Sequence, residues 1–272
     1  MKKYIIIFVV VLILAIIILG TLFYNGILWF VYPENMGYTV KGIDVAIYQG
    51  DIDWGKIASQ KIQFAFIKAT EGSSWVDPKF YANIVSSRDN GIYVGAYHFF
   101  SSESAGKTQA ENFIETVSPY KTDLPPVLDF EIPKSSKEKE KVIKEARVFL
   151  QKVEEYFEVK PIIYTTYESY NAFLVNEFDD YPLWFRDLFG KPKISGNRHW
   201  LFWQYCNRGR LDGIDKKQKY TDLNIFNWNM SDFFEYLDDK YDVDLECWSS
   251  GFVDPDEEDD STGDSHECSL VR

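Results

Sequence analysis

The chain has 272 residues, 46% hydrophobic and 17% aromatic, which is ample for a sizeable core and excludes disorder throughout. Its net charge of −13 comes from 42 acidic against 29 basic residues, but fifteen of those acids and only two of the bases follow Met230, so the first 230 residues are balanced and offer no basic surface for nucleic acid. Three histidines and three cysteines, with no HExxH or CxxC, leave little to hold a metal, and neither a metal nor a cofactor is expected.

Met1-Lys2-Lys3 is followed by a stretch without any charged residue from Tyr4 to Pro33. Within it YIIIFVVVLILAIIILGTLF supplies the roughly 20 apolar residues that a helix needs to cross a bilayer. A cleaved secretory signal has a shorter apolar core and a small-x-small site, so the segment reads better as an uncleaved signal anchor. The Lys pair then stays cytoplasmic, Trp29 and Tyr32 suit the membrane–water interface, and everything after Pro33 lies on the extracytoplasmic side. If the segment is cleaved, the protein is instead secreted. The expected division is an anchor with a short linker over 1–33, a β/α domain over 34–230 and an acidic, partly disordered tail over 231–272.

From Gly42 to about Trp228 short β-rich runs alternate with helical ones. GIDVAIY, FAFIKAT, YVGAYHFF, PPVLDFE, PIIYTT, PLWFRDL, HWLFWQYC and TDLNIF are short, apolar and rich in β-branched or aromatic residues, which predicts eight strands. Helices are expected over 79–89, 104–117 and 136–158. The last is opened by Ser135-x-x-Glu138 as a capping box and carries Val142, Ala146, Phe149, Val153 and Tyr156 at helical spacing. Such alternation builds a largely parallel sheet covered by helices, and eight strands suffice to close it into a (β/α) barrel of TIM-barrel type. The domain is short for that fold and its helical patterns thin out after Val175, so an irregular barrel with reduced helices in its C-terminal half is expected. In the tail, DPDEEDDSTGDS reads as a solvated run; in an exported chain Cys247 can pair with Cys268 across it, leaving Cys206 as a buried apolar residue.

The run PPVLDFEIPK raises the functional question. Charged side chains are rarely buried without a partner or a task, yet Asp129 and Glu131 sit two residues apart in a core strand. Strand alternation puts Val127, Asp129 and Glu131 on one face and Leu128, Phe130 and Ile132 on the other. Backbone positions roughly 6.6 Å apart let the two carboxylates perturb one another, which raises one pKa and holds one residue protonated as a general acid. Asp44 and Asp222 also fall at strand ends, as do Tyr97 and Tyr164, and Trp184, Trp203 and Tyr205 are candidates for either core or sugar platform. A barrel mouth lined by carboxylates and aromatic rings suits a carbohydrate. His98 reads as a packed, hydrogen-bonded histidine rather than a catalytic base.

GIDVAIYQGDIDW, FAFIKATEG, DPKFYANIVSSRDNGIYVGAYHFF, LPPVLDFE and LFWQY…TDLNIF occur in the order in which they stand in the glycoside hydrolase family 25 lysozymes, and the chain resembles that family from Lys41 to near Trp228. The resemblance implies a flattened, irregular β/α barrel that cleaves the β-1,4 bond between N-acetylmuramic acid and N-acetylglucosamine. It implies Glu131 as general acid and Asp129 as either the stabiliser of the substrate's 2-acetamido group or a nucleophile, with Asp44 and Asp222 as the other two active-site acids. The partner implied is the peptidoglycan strand; separately, the N-terminal helix is expected to hold the membrane, and the protein is expected to be a monomer. Two departures stand out: Ala46 where many members carry Ser, and Arg186 where a small residue is frequent, a cation able to alter which glycan or peptide stem fits. A catalytically silent wall receptor and a glycosidase acting on chitin-like polymers are the alternatives.

Overall fold

The computed structural model describes residues 2–239 apart from 197, 216, 217 and 219; the acidic run and the pair Cys247 and Cys268 lie outside them. The apolar N-terminal run forms one helix, α1 (Lys2–Tyr24), none of whose residues is buried against the rest of the protein. The residues just after the helix are docked on the folded domain. Trp29 donates its indole N–H to the backbone carbonyl of Tyr205 at 2.6 Å, Val31 is buried, and Arg208 donates to the carbonyl of Tyr24 at 2.6 Å while lying 4.8 Å over its ring. Gly26 fits here because its φ is +63° and because a Cβ would stand 2.1 Å from the Arg208 carbonyl oxygen.

All eight predicted strands form. They are β1 (Lys41–Val45), β2 (Phe64–Glu71), β4 (Tyr93–Phe99), β5 (Val127–Phe130), β6 (Ile162–Thr166), β7 (Leu183–Arg186), β8 (Phe202–Gly209) and β9 (Thr221–Phe226); a two-residue β3 (Trp75–Val76) pairs with the end of β2. Each strand lies beside its sequence neighbours and β1 pairs with both β2 and β9, so the sheet closes. The last strand departs from the parallel expectation: β9 runs antiparallel to β8 and to β1. No crossover helix is found among the described residues between β8 and β9, and a parallel return would need one.

Helices α2 (Trp54–Ser59), α3 (Phe80–Asp89), α4 (Gly106–Val117) and α5 (Lys139–Phe157) cover the first half, whereas β6 is followed only by the one-turn α6 (Tyr167–Ser169) running into a π turn. The capping box expected at the start of α5 does not form. The helix begins three residues later with Glu138 at its N-cap, and that side chain is ion-paired to Lys141 at 2.9 Å. Val142, Ala146, Phe149 and Val153 face the barrel as their spacing requires, but Tyr156 is exposed.

Two apolar layers result. Leu128, Phe130 and Ile132 pack outward with Phe113 and Phe149 under α4 and α5, while Phe64, Phe66, Val127, Trp184, Phe202 and Phe226 fill the barrel. Small residues opposite make those interior rings possible: Gly42 is in register with Phe64 and Gly95 with Phe66. A Cβ on Gly95 would stand 2.6 Å from the Phe66 ring, which is itself stacked on Trp184 at 4.5 Å. The floor is closed by α7 (Met230–Asp239), whose Phe233 and Tyr236 are buried against Phe226. The folded domain therefore continues past the boundary placed at residue 230, because these two aromatic residues share one helical face.

Gly95→Ala should lower stability by about 1–3 kcal/mol, the usual cost of overpacking a filled core, seen as a lower urea midpoint, whereas Gly190→Ala, which meets nothing within 4 Å, should not.

Candidate active site

The C-terminal ends of the parallel strands surround a cleft of about 500 Å³ lined by carboxylates, tyrosines and amides. Strand register explains which residues meet there. Asp129 is paired with Tyr164, Tyr164 with Trp184, Arg186 with Gln204, Gln204 with Asn224, and Lys68 with Tyr97, which makes a belt around the mouth. Because β9 is antiparallel, Asp222 lands directly opposite Asp44 on β1. Asp44, Asp129, Glu131 and Asp222, the four acids expected at the mouth, therefore share one cleft with Tyr97, Tyr164, Trp184 and Arg186.

Each acid is held differently. Asp44 accepts from Asn224 Nδ2 at 2.7 Å and from Gln204 Nε2 at 2.9 Å, and it also hydrogen-bonds Asp222. Gln204 is in turn fixed by the Tyr164 hydroxyl at 2.8 Å, and Asn224 by the Trp184 indole N–H at 2.9 Å. Glu131 stands one residue past the end of β5, with its side chain 29% exposed, and accepts from Arg186 Nη1 at 3.1 Å. Asp129 lies inside the strand; its Oδ1 is buried with no hydrogen-bond partner among the described residues.

Desolvation dominates the charge balance. Burial raises the Asp44 carboxyl to about 6, against the hydrogen bonds from Asn224 and Gln204. Burial pushes Asp129 well above the carboxylate range, and the neighbouring Glu131 and Asp44 charges add to it. Asp222 is raised in the same way by burial and by Asp44. Glu131 is raised by burial too, but Arg186 opposes the rise. Sequence reasoning gave the proton to Glu131 and left Asp129 ionised; in the free protein burial falls harder on Asp129, because it lies deeper in the strand, although Lys68 and Arg186 oppose the rise.

Trp203 and Tyr205, expected as possible sugar platforms, do not line the cleft. Alternation along β8 sends Phe202 and Gln204 inward and Trp203 and Tyr205 outward, where Trp203 packs edge-on to Tyr38 and Trp200 and donates to the Asp187 carbonyl at 2.7 Å. Trp184 does line the cleft, but as floor, with one face covered by Phe66. His98 faces outward, stacked on Phe149 and bound between Thr70 and Gln109; burial lowers its pKa to about 4, so it stays neutral.

Sequence reasoning did not single out Gln204, Asn224 or Lys68. All three carry the signal that marked Asp129, a polar residue two positions along the inward face of an apolar strand. Lys68 is buried beside Glu71 at 2.7 Å, under the rings of Phe99 and Trp75. A second cleft of about 390 Å³ adjoins the first, walled by Tyr167, Glu168, Asp187 and Phe189.

The raised carboxyls make stability pH-dependent in a fixed direction. Each binds its proton more tightly folded than unfolded, so its contribution is present below about pH 4 and is lost as pH climbs through the folded value. Asp129→Asn should raise the thermal midpoint at pH 7 by about 2–4 °C, and the gain should vanish at pH 4, where the parent carboxyl is protonated as well.

Known proteins share this arrangement of strands and blocks. Residues 43–214 match the profile of Glycosyl hydrolases family 25. A family 25 glycosyl hydrolase from Bacillus anthracis superposes with a TM-score of 0.68 at 42% identity, covering 74% of this chain and 94% of that one. The YegX protein of Escherichia coli K12 is 38% identical over 206 residues, 74% of each chain. Lysozyme M1 of Streptomyces globisporus is 32% identical over 206 residues, covering 69% of this chain and 68% of its own. With a closed barrel of matching fold and the family profile spanning well over half its length, the chain belongs to the glycosyl hydrolases family 25.

Proposed function

We propose that the protein is a peptidoglycan hydrolase that cleaves the β-1,4 bond between N-acetylmuramic acid and N-acetylglucosamine, with Glu131 as the general acid. The observation that carries this reading is the unequal setting of two carboxylates on one strand face. Glu131 stands partly in solvent at the mouth, and Asp129 lies below it with a buried acceptor oxygen that has no partner among the described residues. Glu131 gives its proton to the leaving glycosidic oxygen as the C1–O bond breaks, and positive charge gathers at C1. The carbonyl oxygen of the substrate's own 2-acetamido group attacks C1, and the free Oδ1 of Asp129 accepts the amide N–H whose charge rises in that step. Water then opens the ring that forms, returning its proton to Glu131. The pair holds one proton between them, and the productive form has it on Glu131. Direct attack by Asp129 on C1 is the alternative, and it requires Asp129 to be ionised and within bonding reach of the sugar.

Asp44 and Asp222, opposite one another and tied to Gln204 and Asn224, complete the acidic wall, and Tyr97 and Tyr164 border the sugar. Lysozyme M1 and the N,O-diacetylmuramidases of Chalaropsis sp and Arthroderma benhamiae, the last two matching only about a third of this chain, support the substrate class by name. We also propose that α1 anchors the protein in a membrane, with the barrel on the extracytoplasmic side. It is 23 residues long, has a mean hydropathy of 3.5 over its most apolar window, and buries nothing against the protein.

The full chain in detergent should clear peptidoglycan suspensions and release new reducing ends on muramic acid. Glu131→Gln should cut that rate by about 10²–10⁴, the usual worth of a general acid, and its retention at the parent rate would remove Glu131 from this role. In cells, the full-length chain should resist alkaline extraction of membranes; recovery of a shorter soluble form would mean that α1 is a cleaved signal.

A further inference from the structure

Glu131 and Arg186 are the two residues that line both clefts. A polymer crossing from one cleft to the other must pass this ion pair. The main cleft is acidic, with Asp44, Glu71, Asp129, Glu131 and Asp222 facing two cations. Of these, Lys68 is spoken for: its side chain is 7% exposed and it is held by Glu71 between two aromatic rings. Arg186 keeps 36% of its side chain in solvent, holds Glu131 through one nitrogen, Nη1, at 3.1 Å, hydrogen-bonds Tyr164 and is faced by Asp222. A guanidinium can hold a carboxylate through two parallel bonds, and a second anion reaching Arg186 competes for it.

This geometry conflicts with the task given to Glu131. An acid must carry its proton, whereas a guanidinium on the same oxygen favours the ionised form. We propose that Arg186 is a positioning residue that changes partner when substrate binds: it leaves Glu131 for a carboxylate carried on the 3-O-lactyl arm of the sugar, and Glu131 then keeps the proton that the glycosidic oxygen receives. This rests on the muramidase reading and adds a filter to it. A chitin-like strand has no such arm, brings no competing anion and leaves Arg186 on Glu131. The carboxylate has two sources. It is the lactyl carboxyl itself in strands stripped of peptide, or a carboxyl of the peptide stem, which the second cleft beside Tyr167 and Phe189 is placed to receive.

The test compares the full chain with Arg186→Ala, Arg186→Gln and Arg186→Lys on three soluble glycans: peptide-free muramoyl strands, stem-bearing muramoyl strands and N-acetylglucosamine oligomers, with kcat/KM followed from pH 4 to 9. The parent should favour at least one muramoyl substrate over the neutral oligomer by about tenfold or more, the scale of one charge-assisted hydrogen bond. Preference for the peptide-free strands assigns the lactyl carboxyl, and preference for the stem-bearing strands alone assigns the peptide. Arg186→Ala and Arg186→Gln should bring that ratio toward one, cleave the neutral oligomer faster than the parent at pH 7, and move the alkaline limb of kcat/KM upward; Arg186→Lys should lie between. A residue that merely supports the fold would lower all three rates together and leave the limb in place, and that result overturns the proposal. Equal cleavage of all three glycans by the parent also overturns it while leaving the glycosidase intact. If the parent cleaves none of them, the muramidase reading itself falls.

Discussion

Desolvating carboxylates next to one another is the costly act on which this molecule is built. Asp44, Asp129 and Asp222 are each raised by burial first and by their neighbours second, and Glu131 by burial alone. Such a cluster is tolerated only where hydrogen-bond donors and a rigid surround hold it in place. On Asp44 the donors are the amides of Gln204 and Asn224, each pinned from behind by Tyr164 or Trp184, and on Glu131 the donor is the Arg186 guanidinium. Amides fix a carboxylate in place without adding an opposing charge.

Closure of the barrel supplies the rigidity. The reversed last strand is what sets Asp222 against Asp44. Below the acids, Phe66 and Trp184 are stacked and the glycine at 95 leaves them room, so the floor beneath the charges is dry and stiff. The upper rim is looser. Glu131 and Arg186 sit where β5 and β7 end, partly in water, and the two clefts meet there.

Much of this was legible in the sequence, because period-two alternation and strand order need no tertiary knowledge. The eight strands, the barrel class and the inward face of Asp129 and Glu131 all come from that pattern. What resisted reading had local causes. The sense of β9 is not written in its own alternation, and Trp203 and Tyr205 looked like platforms because an aromatic side chain advertises neither face of a strand. The capping box lost to an ion pair one turn into the helix, since Glu138 had Lys141 within reach. Gln204 and Asn224 were hidden by neutrality: a buried amide does not stand out in an apolar run as a carboxylate does, although it occupies the same kind of position.

The docking of residues 24–31 has a mechanical consequence. Tyr24 is gripped by Arg208 and by the hydroxyl of Tyr220, Trp29 is bonded to the backbone at Tyr205, and Phe30 touches Phe189 on the wall of the second cleft at 5.0 Å. With α1 held in a membrane, as proposed, the layer that holds the helix also sets the height of the cleft, because four residues separate the end of the helix at Tyr24 from the docked Trp29.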